Sequence, residues 1–353
     1  MKRWLSLLLC LTLLMAALPA RAELPLVYPE ETVISVMRLT DDQRRLAELL
    51  YAPVLAGEET IELPEGTLYD DVGPAMQSLM LTYPELFHLG RTYTISYWQN
   101  EPDIAISVSP SYRMSAREAD ALRQQLYAAA LEIIARDSTA LGLHDALVDR
   151  VRYGGNTEMR HTAVGALLEG TATCEGYAQA LTLLCRMAGI PCGTVTGTGL
   201  AYGAAAPESH AWNVVYLDGG CSLIDVTWND QEGAGLNTRW YYGLSTSQMA
   251  ADHTPDADMA VPECTDHISW HRSADSYAYT QEDVFRALQR VVETGETLNL
   301  RVMDAELYWQ MVGDTGALLD AYNAWCPEGS AFYGRYSYFS CDAQMCFILM
   351  KPE

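Results

Sequence analysis

The amino-acid sequence predicts an α+β fold with a central helix, an antiparallel hairpin after it, and a small α+β segment on either side. Two observations lead to the central part. Apolar residues recur at helical spacing from Cys174 to Ala188, and Gly189-Ile190-Pro191 ends the helix. Two runs rich in Val, Ile, Tyr and Trp, at 211–217 and 221–228, then flank Asp218-Gly219-Gly220, which is a strong hairpin signal.

The first 22 residues have the pattern of a secretory signal peptide. Residues 1–22 begin with a basic pair, continue with a Leu-rich stretch and end in Ala-Arg-Ala, so we expect cleavage after Ala22. Cys10 lacks the small preceding residue of a lipidated Cys. No later run approaches the about 18 apolar residues of a membrane helix. We therefore expect a secreted or extracytoplasmic protein with no membrane segment after cleavage.

The chain is strongly acidic. Its formal net charge is -24, and because the leader holds Lys2, Arg3 and Arg21 but no acid, cleavage makes the charge -27. Such a surface repels nucleic acid and other anionic polymers and favours cationic substrates. We expect no nucleic-acid partner.

Residues 23–112 are predicted to form an N-terminal α+β segment. A Thr at position 40 is placed to cap the first helix. The segment either faces substrate and shields the site, or is a scaffold that covers the core. The pattern predicts helices over 40–56 and 70–82 and strands over 61–63, 91–98 and 104–109.

A central segment, residues 113–262, is predicted to carry the chemistry. It opens with a helix from Ser115 to about residue 137, capped in the Ser-x-x-Glu pattern, and a shorter helix over 141–153. A polar loop, 154–161, leads on to the Cys174 helix. Three residues of this region are candidates to line a cleft, although such residues usually only face solvent: Tyr153, Asn156 and His161.

Cys174 falls in the first turn of its helix, with Thr173 as the predicted N-cap. The unpaired N–H groups and the positive end of the helix dipole there favour a thiolate over a thiol. The same N–H groups could hold the oxyanion of a tetrahedral intermediate.

The hairpin can place a carboxylate beside an imidazole. A two-residue loop of Asp218-Gly219 puts Asp225 opposite Trp212 and diagonal to His210, and a loop of Gly219-Gly220 puts it opposite Val214 on the same face. A three-residue loop would break this parity unless a bulge restored it. Two of these three loop alternatives thus keep Asp225 on the same face as His210.

The roles then follow from chemistry: Cys174 attacks, His210 takes and returns the proton, and Asp225 fixes the tautomer and stabilises the imidazolium. Each residue also has a structural explanation, as a small buried Cys, a packed His and a turn Asp. The occurrence of all three residues together favours a catalytic role over these structural explanations. Trp212, Asn213 and Trp228 could shield or orient the three, or could simply pack.

Several motifs lie between about residues 140 and 232. They are GTATCEGYAQA (170–180), HAWN (210–213) and DVTWND (225–230), and upstream HDALVDRVRY (144–153) and TAVGALLEG (162–170). These motifs resemble those of the transglutaminase-like superfamily, and specifically its secreted bacterial branch. The resemblance implies a papain-like core, in which the Cys helix packs on an antiparallel sheet, with Cys174, His210 and Asp225 as the catalytic residues.

Residues 263–353 are predicted to form a C-terminal α+β segment without recognisable chemistry. Just before it, Trp240-Tyr241-Tyr242 is a predicted strand. Tyr333, Tyr336 and Tyr338 would suit ligand stacking, but aromatic strand residues are more often packing residues. The pattern predicts helices over 281–293 and 305–324, a strand over 297–303 and a hairpin of 332–340 with 346–350.

Eight of the nine Cys residues remain after cleavage, and with Cys174 kept as a thiol the other seven cannot all pair within the chain. Cys341 and Cys346 flank a four-residue turn and are the best disulfide candidates by proximity. With no C-x-x-C pair and scattered His residues, we expect no metal or cofactor. The Cys residues interpreted as small buried ones are Cys185, Cys192 and Cys221.

The predicted function is thiol-dependent acyl transfer on peptide or glutamine amides, either as a transferase or as a hydrolase of the peptidase or amidase type. The alternative is an extracellular peptide-binding module that keeps the fold without turnover. Lys351 is the only Lys of the mature chain, so a transferase joining Gln to Lys would be a poor acceptor itself. The same Arg-for-Lys bias also follows from genome composition. The expected partners are a protein or peptide substrate and, for a transferase, a cationic amine acceptor.

Overall fold

The computed structural model describes residues 28–201, 203–231 and 235–350. The predicted signal peptide, residues 1–22, and Lys351 lie outside the described residues. The α-helices of the described part are α1 (Asp41–Leu55), α2 (Tyr69–Thr82), α3 (Ala116–Ile134), α4 (Ala140–Arg150), α5 (Cys174–Met187), α6 (Val226–Asn229), α7 (Thr246–Met249), α8 (Trp270–Ser273), α9 (Gln281–Thr294), α10 (Ala305–Gly313) and α11 (Thr315–Trp325).

The strands of the described residues form three larger sheets, ordered β1-β3-β2, β11-β8-β7-β6-β12 and β13-β14-β16-β15, and two short pairs, β4-β5 and β9-β10. The strands are β1 (Ile61–Glu62), β2 (Leu89–Trp98), β3 (Glu101–Tyr112), β4 (Arg152–Tyr153), β5 (Thr171–Ala172), β6 (Cys192–Gly199), β7 (Glu208–Leu217), β8 (Gly220–Ile224), β9 (Asp230–Gln231), β10 (Leu236–Asn237), β11 (Tyr242–Leu244), β12 (His253–Pro255), β13 (Tyr277–Ala278), β14 (Leu298–Val302), β15 (Ser337–Cys341) and β16 (Cys346–Met350).

Local sequence signals set several of these boundaries. Thr40 and Ser115 each form a reciprocal capping box with the residue three positions later, so α1 and α3 begin where predicted. Leu217 pairs with Gly220, so the β7–β8 loop is the two residues Asp218-Gly219. Both have positive φ, 51° and 80°, as a type I′ turn requires.

Three predictions about individual elements are wrong. The 305–324 helix is two helices, because Asp314 leaves the helical conformation and its side chain caps α11 at the N–H of Ala317. The 141–153 helix ends at Arg150, after which β4 pairs in parallel with β5. The strand predicted at 240–242 begins two residues later, as β11, which is the edge strand of the sheet and pairs with β8.

Cys341 and Cys346, the best disulfide candidates by proximity, form no disulfide in the structure, since both residues are free thiols. They are paired across β15 and β16. Their sulfurs engage other groups instead: Cys341 Sγ lies 3.2 Å from the hydroxyl of Tyr241, and Cys346 Sγ lies 3.7 Å from Nε2 of His271.

The predicted α+β class is confirmed, and its centre is the packing of α5 on the antiparallel five-stranded sheet. The helix is buried along most of its length. Asn213 of β7 donates from Nδ2 to the carbonyl of Ala178 and to Thr182 Oγ1, each at 2.9 Å. Near the other end Arg186, fully buried, donates to the carbonyl of Cys192 at 2.9 Å. These bonds fix the helix on the sheet.

The flanking segments dock on this centre through polar contacts around separate apolar clusters. On the N-terminal side, Gln179 of α5 donates to the carbonyls of Met80 and Leu81, each at 3.2 Å. On the C-terminal side, Asn299 accepts from the indole of Trp240 at 3.0 Å. No helix of the described residues combines the length and the apolar character needed to cross a membrane.

Candidate active site

Cys174 is the first residue of α5 and is partly exposed. Thr173 occupies the predicted N-cap position with extended backbone, but its side chain does not cap the helix. Its hydroxyl instead contacts Nδ1 of His161 at 2.9 Å. The N–H groups of the first turn are thus left without that cap, and a group bound at Cys174 Sγ would lie at the positive end of the helix.

The hairpin register brings His210 and Asp225 together. Asn213 pairs with Ile224, so Asp225, one residue past the end of β8, falls level with Trp212 and diagonal to His210. The first of the two loop predictions is therefore the one found. Nε2 of His210 lies 2.7 Å from Oδ2 of Asp225, and both residues are buried. The other oxygen of Asp225 accepts the backbone N–H of Trp228 at 3.1 Å, which fixes the carboxylate plane.

The electrostatics favour charge on both residues. Burial lowers the pKa of His210, but the charge and hydrogen bond of Asp225, together with Cys174, outweigh it and raise the pKa to about 10. Burial likewise raises the pKa of Asp225, whereas His210 and His253 pull it well below its usual range. The pair is therefore an imidazolium and a carboxylate. With Nε2 on Asp225, Nδ1 is the ring nitrogen left to exchange a proton with the Cys174 thiol.

Two indoles enclose the imidazole. Trp228 stacks on His210 at 4.8 Å and 30°, and Trp212 lies at 6.1 Å and 26°. The sequence left both Trp residues open as shielding, orienting or packing residues, and Trp228 is the nearer ring. Gly199 leaves room for this stack, because a Cβ at this position would lie 2.8 Å from Trp228 and 3.3 Å from the ring of His210.

His253 and Asp252 also reach the site, and sequence reasoning missed both. Nε2 of His253 lies 3.2 Å from the same oxygen of Asp225 that contacts His210, and its Nδ1 lies 2.6 Å from Oδ1 of Asp252. His253 begins β12, an edge strand of the sheet, and pairs with Gly199 of β6. A three-residue strand that ends in Pro255 has no alternating pattern, so no local signal marked it.

The predicted cleft residues have mixed positions. The side chain of Tyr153 is largely exposed, and its partial burial, followed by the charge of Cys174, raises its pKa. His161 contacts Thr173 as described, whereas Asn156 is exposed. The N-terminal segment reaches this rim, because Arg91 forms an ion pair with Glu175, the residue after Cys174.

One group of described residues has the spacing of a metal site. Ligand atoms of His210, Asp225 and His253 lie within 4.8 Å of one another, so the expectation that the His residues are scattered is wrong for this pair. Each of these atoms is already joined to another of the group by the 2.7 and 3.2 Å hydrogen bonds. The cluster therefore satisfies its own polar atoms, and hydrogen bonding explains it fully.

This arrangement can move a proton between a thiol and a buried imidazole whose other nitrogen is fixed by a carboxylate. A thiolate at a helix N-terminus beside an imidazolium is a nucleophile near neutral pH. The returned proton can then be given to a leaving group.

Comparisons with known proteins match the central part of the chain. Residues 125–226 match the family model of the Transglutaminase-like superfamily. Kyphoscoliosis peptidase of Homo sapiens is 33% identical over 96 residues, which cover 24% of this chain and 14% of that protein. The chain thus spans only a small part of this relative.

Two solved structures resemble the chain at lower identity. One is a crystal structure of a TGase, with 13% identity, a TM-score of 0.28, and coverage of 40% of this chain and 45% of that one. The other is the periplasmic domain of TgpA from Pseudomonas aeruginosa, with 17% identity, a TM-score of 0.25, and coverage of 41% and 68%. The match to the family model of the Transglutaminase-like superfamily is confined to residues 125–226, which include Cys174, His210 and Asp225.

Proposed function

We propose that Cys174, His210 and Asp225 form a catalytic triad, and that the protein transfers the acyl group of a peptide or glutamine amide through a thioester. The observation that carries this proposal is the buried His210–Asp225 pair, 2.7 Å apart, coupled to a Cys at a helix N-terminus. A structural His–Asp pair would need no nucleophile beside it. The transglutaminase-like family match supports the same assignment.

The chemistry follows from these positions. The Cys174 thiolate attacks the amide carbon, and the resulting oxyanion is held by N–H groups at the start of α5. His210 gives its proton to the departing nitrogen, so the C–N bond breaks and the acyl group stays on sulfur as a thioester. His210, now neutral, takes a proton from water or a primary amine as it attacks the thioester. The carboxylic acid or new amide leaves, and the thiolate is regenerated.

The acceptor is a primary amine or water. Transfer requires an amine to reach the thioester before water does, so a solvent-excluding cleft beside Cys174 would favour it. The strongly acidic chain would attract a cationic amine. Hydrolysis requires only an open cleft.

Incubation with a glutamine peptide and a fluorescent primary amine tests the proposal. Ammonia release and amine incorporation are followed together, for the wild type and for Cys174→Ala. Incorporation that the variant abolishes indicates transfer, and cleavage or ammonia release without incorporation indicates hydrolysis. Absence of every product across a broad peptide set would contradict the enzyme assignment and favour a peptide-binding module.

We also propose that the protein acts outside the cytoplasm. The support is the signal-peptide pattern of residues 1–22. N-terminal sequencing of the protein recovered from a producing bacterium should give Glu23 as the first residue. An uncleaved chain that stays in the cytoplasmic fraction would contradict this.

A further inference from the structure

The hydrogen-bonded chain at the proposed site continues beyond Asp225. His253 lies between two carboxylates, with Nε2 3.2 Å from Asp225 and Nδ1 2.6 Å from Asp252. Oδ2 of Asp252 in turn accepts from the hydroxyl of Tyr241 at 2.7 Å. His253 and Asp252 are both buried, so this chain is shielded from water.

The position of His253 defines its charge. An ionised carboxylate only accepts hydrogen bonds, so a ring whose two nitrogens each face one donates from both and is an imidazolium. Burial lowers the pKa of His253, but the hydrogen bonds and charges of Asp225 and Asp252 outweigh it and raise the pKa.

That cation would weaken the support that Asp225 gives to His210. Asp225 and a cationic His253 together carry no net charge, and a neutral pair stabilises an imidazolium less than a carboxylate does. Asp252 supplies a second negative charge, so the group of three carries one net negative charge again.

We propose that Asp252 and His253 are positioning residues of the proposed triad. His253 holds the Asp225 carboxylate from the side opposite His210, and Asp252 restores the negative charge that keeps His210 protonated. This inference rests on the proposed function of the triad.

The surroundings of Asp252 keep its carboxylate in place. Besides Tyr241, Gln344 of the C-terminal segment has Nε2 3.4 Å from both oxygens of Asp252. Gln344 is held in turn by Arg301, whose Nη1 lies 3.2 Å from its Oε1. The C-terminal segment thus contacts Asp252, at the end of the hydrogen-bonded series that starts at His210. The titratable groups that face His253 and Asp252 are Asp225, His210, Tyr241, Cys341, Cys346 and Arg301.

The test follows the side-chain NMR signals of His210 through a pH titration, in the wild type and in Asp252→Asn. The loss of the Asp252 charge should lower the pH at which His210 gives up its proton by about one unit, which is about tenfold less imidazolium above that pH. Asp145→Asn is the matched control, because Asp145 lies 2.8 Å from Nδ1 of the preceding His144 but outside the triad. In this control the titration of His210 should match that of the wild type.

A double variant separates charge from structure. In Asp252→Asn with His253→Gln, Asp225 is again the single charge of the group, so the titration of His210 should return toward that of the wild type. A titration of His210 in Asp252→Asn that matches that in Asp145→Asn would overturn the proposal, and so would a shift that the double variant fails to reverse.

Two further readouts cover the remaining outcomes. Histidine side-chain NMR of the wild type at pH 7 should show both ring nitrogens of His253 protonated, and a neutral His253 would refute the inference. This measurement does not require Asp252→Asn to fold. Alkylation of Cys174 by iodoacetamide no faster than that of the buried thiols at pH 7 would instead refute the triad itself.

A separate observation concerns Cys221 and Cys264. Their sulfurs lie 2.7 Å apart and both residues are buried, although both are free thiols in the structure. Non-bonded heavy atoms ordinarily approach to about 3.5–4.0 Å. The backbone brings them together, because the N–H of Thr265 donates to the carbonyl of Cys221 at 2.9 Å.

We infer that Cys221 and Cys264 form a disulfide when the protein meets a disulfide oxidant such as glutathione disulfide. Each thiol loses its proton, one sulfur–sulfur bond forms, and the two electrons reduce one glutathione disulfide to two glutathione thiols. The bond would tie the segment around Cys264 to β8, which leads directly into Asp225. The long loop that it closes should make the linked fold more heat-stable.

Refolding the full chain in a glutathione redox buffer and mapping non-reduced peptides by mass spectrometry tests this. A crosslinked peptide of Cys221 with Cys264 is expected, absent in Cys264→Ser, along with a melting temperature that reductant lowers in the wild type but not in the variant. Cys185→Ser is the control and should retain both effects. Thiol labelling of both Cys221 and Cys264 after non-reducing denaturation would overturn the inference.

Discussion

Replacing Asp225 by Asn probes the proposed triad at its most connected residue. One oxygen of Asp225 accepts the backbone N–H of Trp228 at 3.1 Å, and the other faces Nε2 of His210 at 2.7 Å and Nε2 of His253 at 3.2 Å. An Asn side chain offers one acceptor and one donor group in place of the two acceptors. Three donors therefore compete for one oxygen.

The Asn side chain has two orientations, and each loses a contact. With its oxygen toward Trp228, its NH₂ group faces His210, so Nε2 must become an acceptor and the ring proton moves to Nδ1. The Nδ1–H tautomer cannot take the Cys174 proton. With the side chain flipped, the buried N–H of Trp228 is left facing another donor, which costs about 1–3 kcal/mol.

The expected consequence is a large loss of rate with the fold kept. A triad Asp replaced by Asn lowers kcat by about ten-thousandfold through the wrong tautomer, which corresponds to about 5 kcal/mol of barrier. The assay is amine incorporation or ammonia release at saturating peptide, with circular dichroism to show that the variant is folded. A loss of only a few-fold in a folded variant would mean that Asp225 is a turn residue and that another group orients His210.

Three further predictions follow from the same geometry. Cys174 is partly exposed whereas Cys185 and Cys221 are buried, so iodoacetamide near pH 7 should alkylate Cys174 first; peptide mapping that shows equal rates would contradict a reactive thiolate. Gly199→Ala should lower turnover without altering any triad residue, because its Cβ would lie 2.8 Å from Trp228; an unchanged rate would show that the stack on His210 is dispensable, and Gly313→Ala, where a Cβ would meet nothing within 4 Å, is the control. The pKa of Asp225 is depressed in the fold, since His210 and His253 outweigh the burial that raises it, so its stabilisation is complete above the ordinary pKa of about 3.9 and is lost as the pH falls below it. Melting temperatures of the wild type should therefore fall between pH 4 and pH 2 more steeply than those of Asp225→Asn, and parallel curves would refute this linkage.

The parts that the sequence predicted well depend on short-range rules. Side chains of a strand alternate between the two faces of the sheet, and the two-residue turn sets the register of β7 and β8. The position of Asp225 on the same face as His210 therefore followed from counting residues. The start of α5 followed from helical spacing. Capping boxes likewise located α1 and α3 because each involves residues only three apart.

The parts that it missed depend on long-range contacts. His253 reaches Asp225 because β12 pairs with β6, more than 50 residues earlier in the chain, and nothing local to Asp252-His253 indicates that pairing. Asp314 broke a helix whose apolar pattern runs on without interruption, because its side chain caps the next helix instead. Cys221 and Cys264 meet only in the folded chain, whereas nearness in sequence favoured Cys341 and Cys346.

Capture of the covalent intermediate tests the central claim most directly. The protein is mixed with a glutamine peptide, quenched in acid within milliseconds to seconds, and analysed by intact mass and peptide mapping. The account predicts a thioester on Cys174 with the mass of the peptide less one ammonia, which accumulates when the acceptor amine is withheld and is absent in Cys174→Ala. An adduct on any other residue, or the same turnover in Cys174→Ala without an adduct, would contradict it.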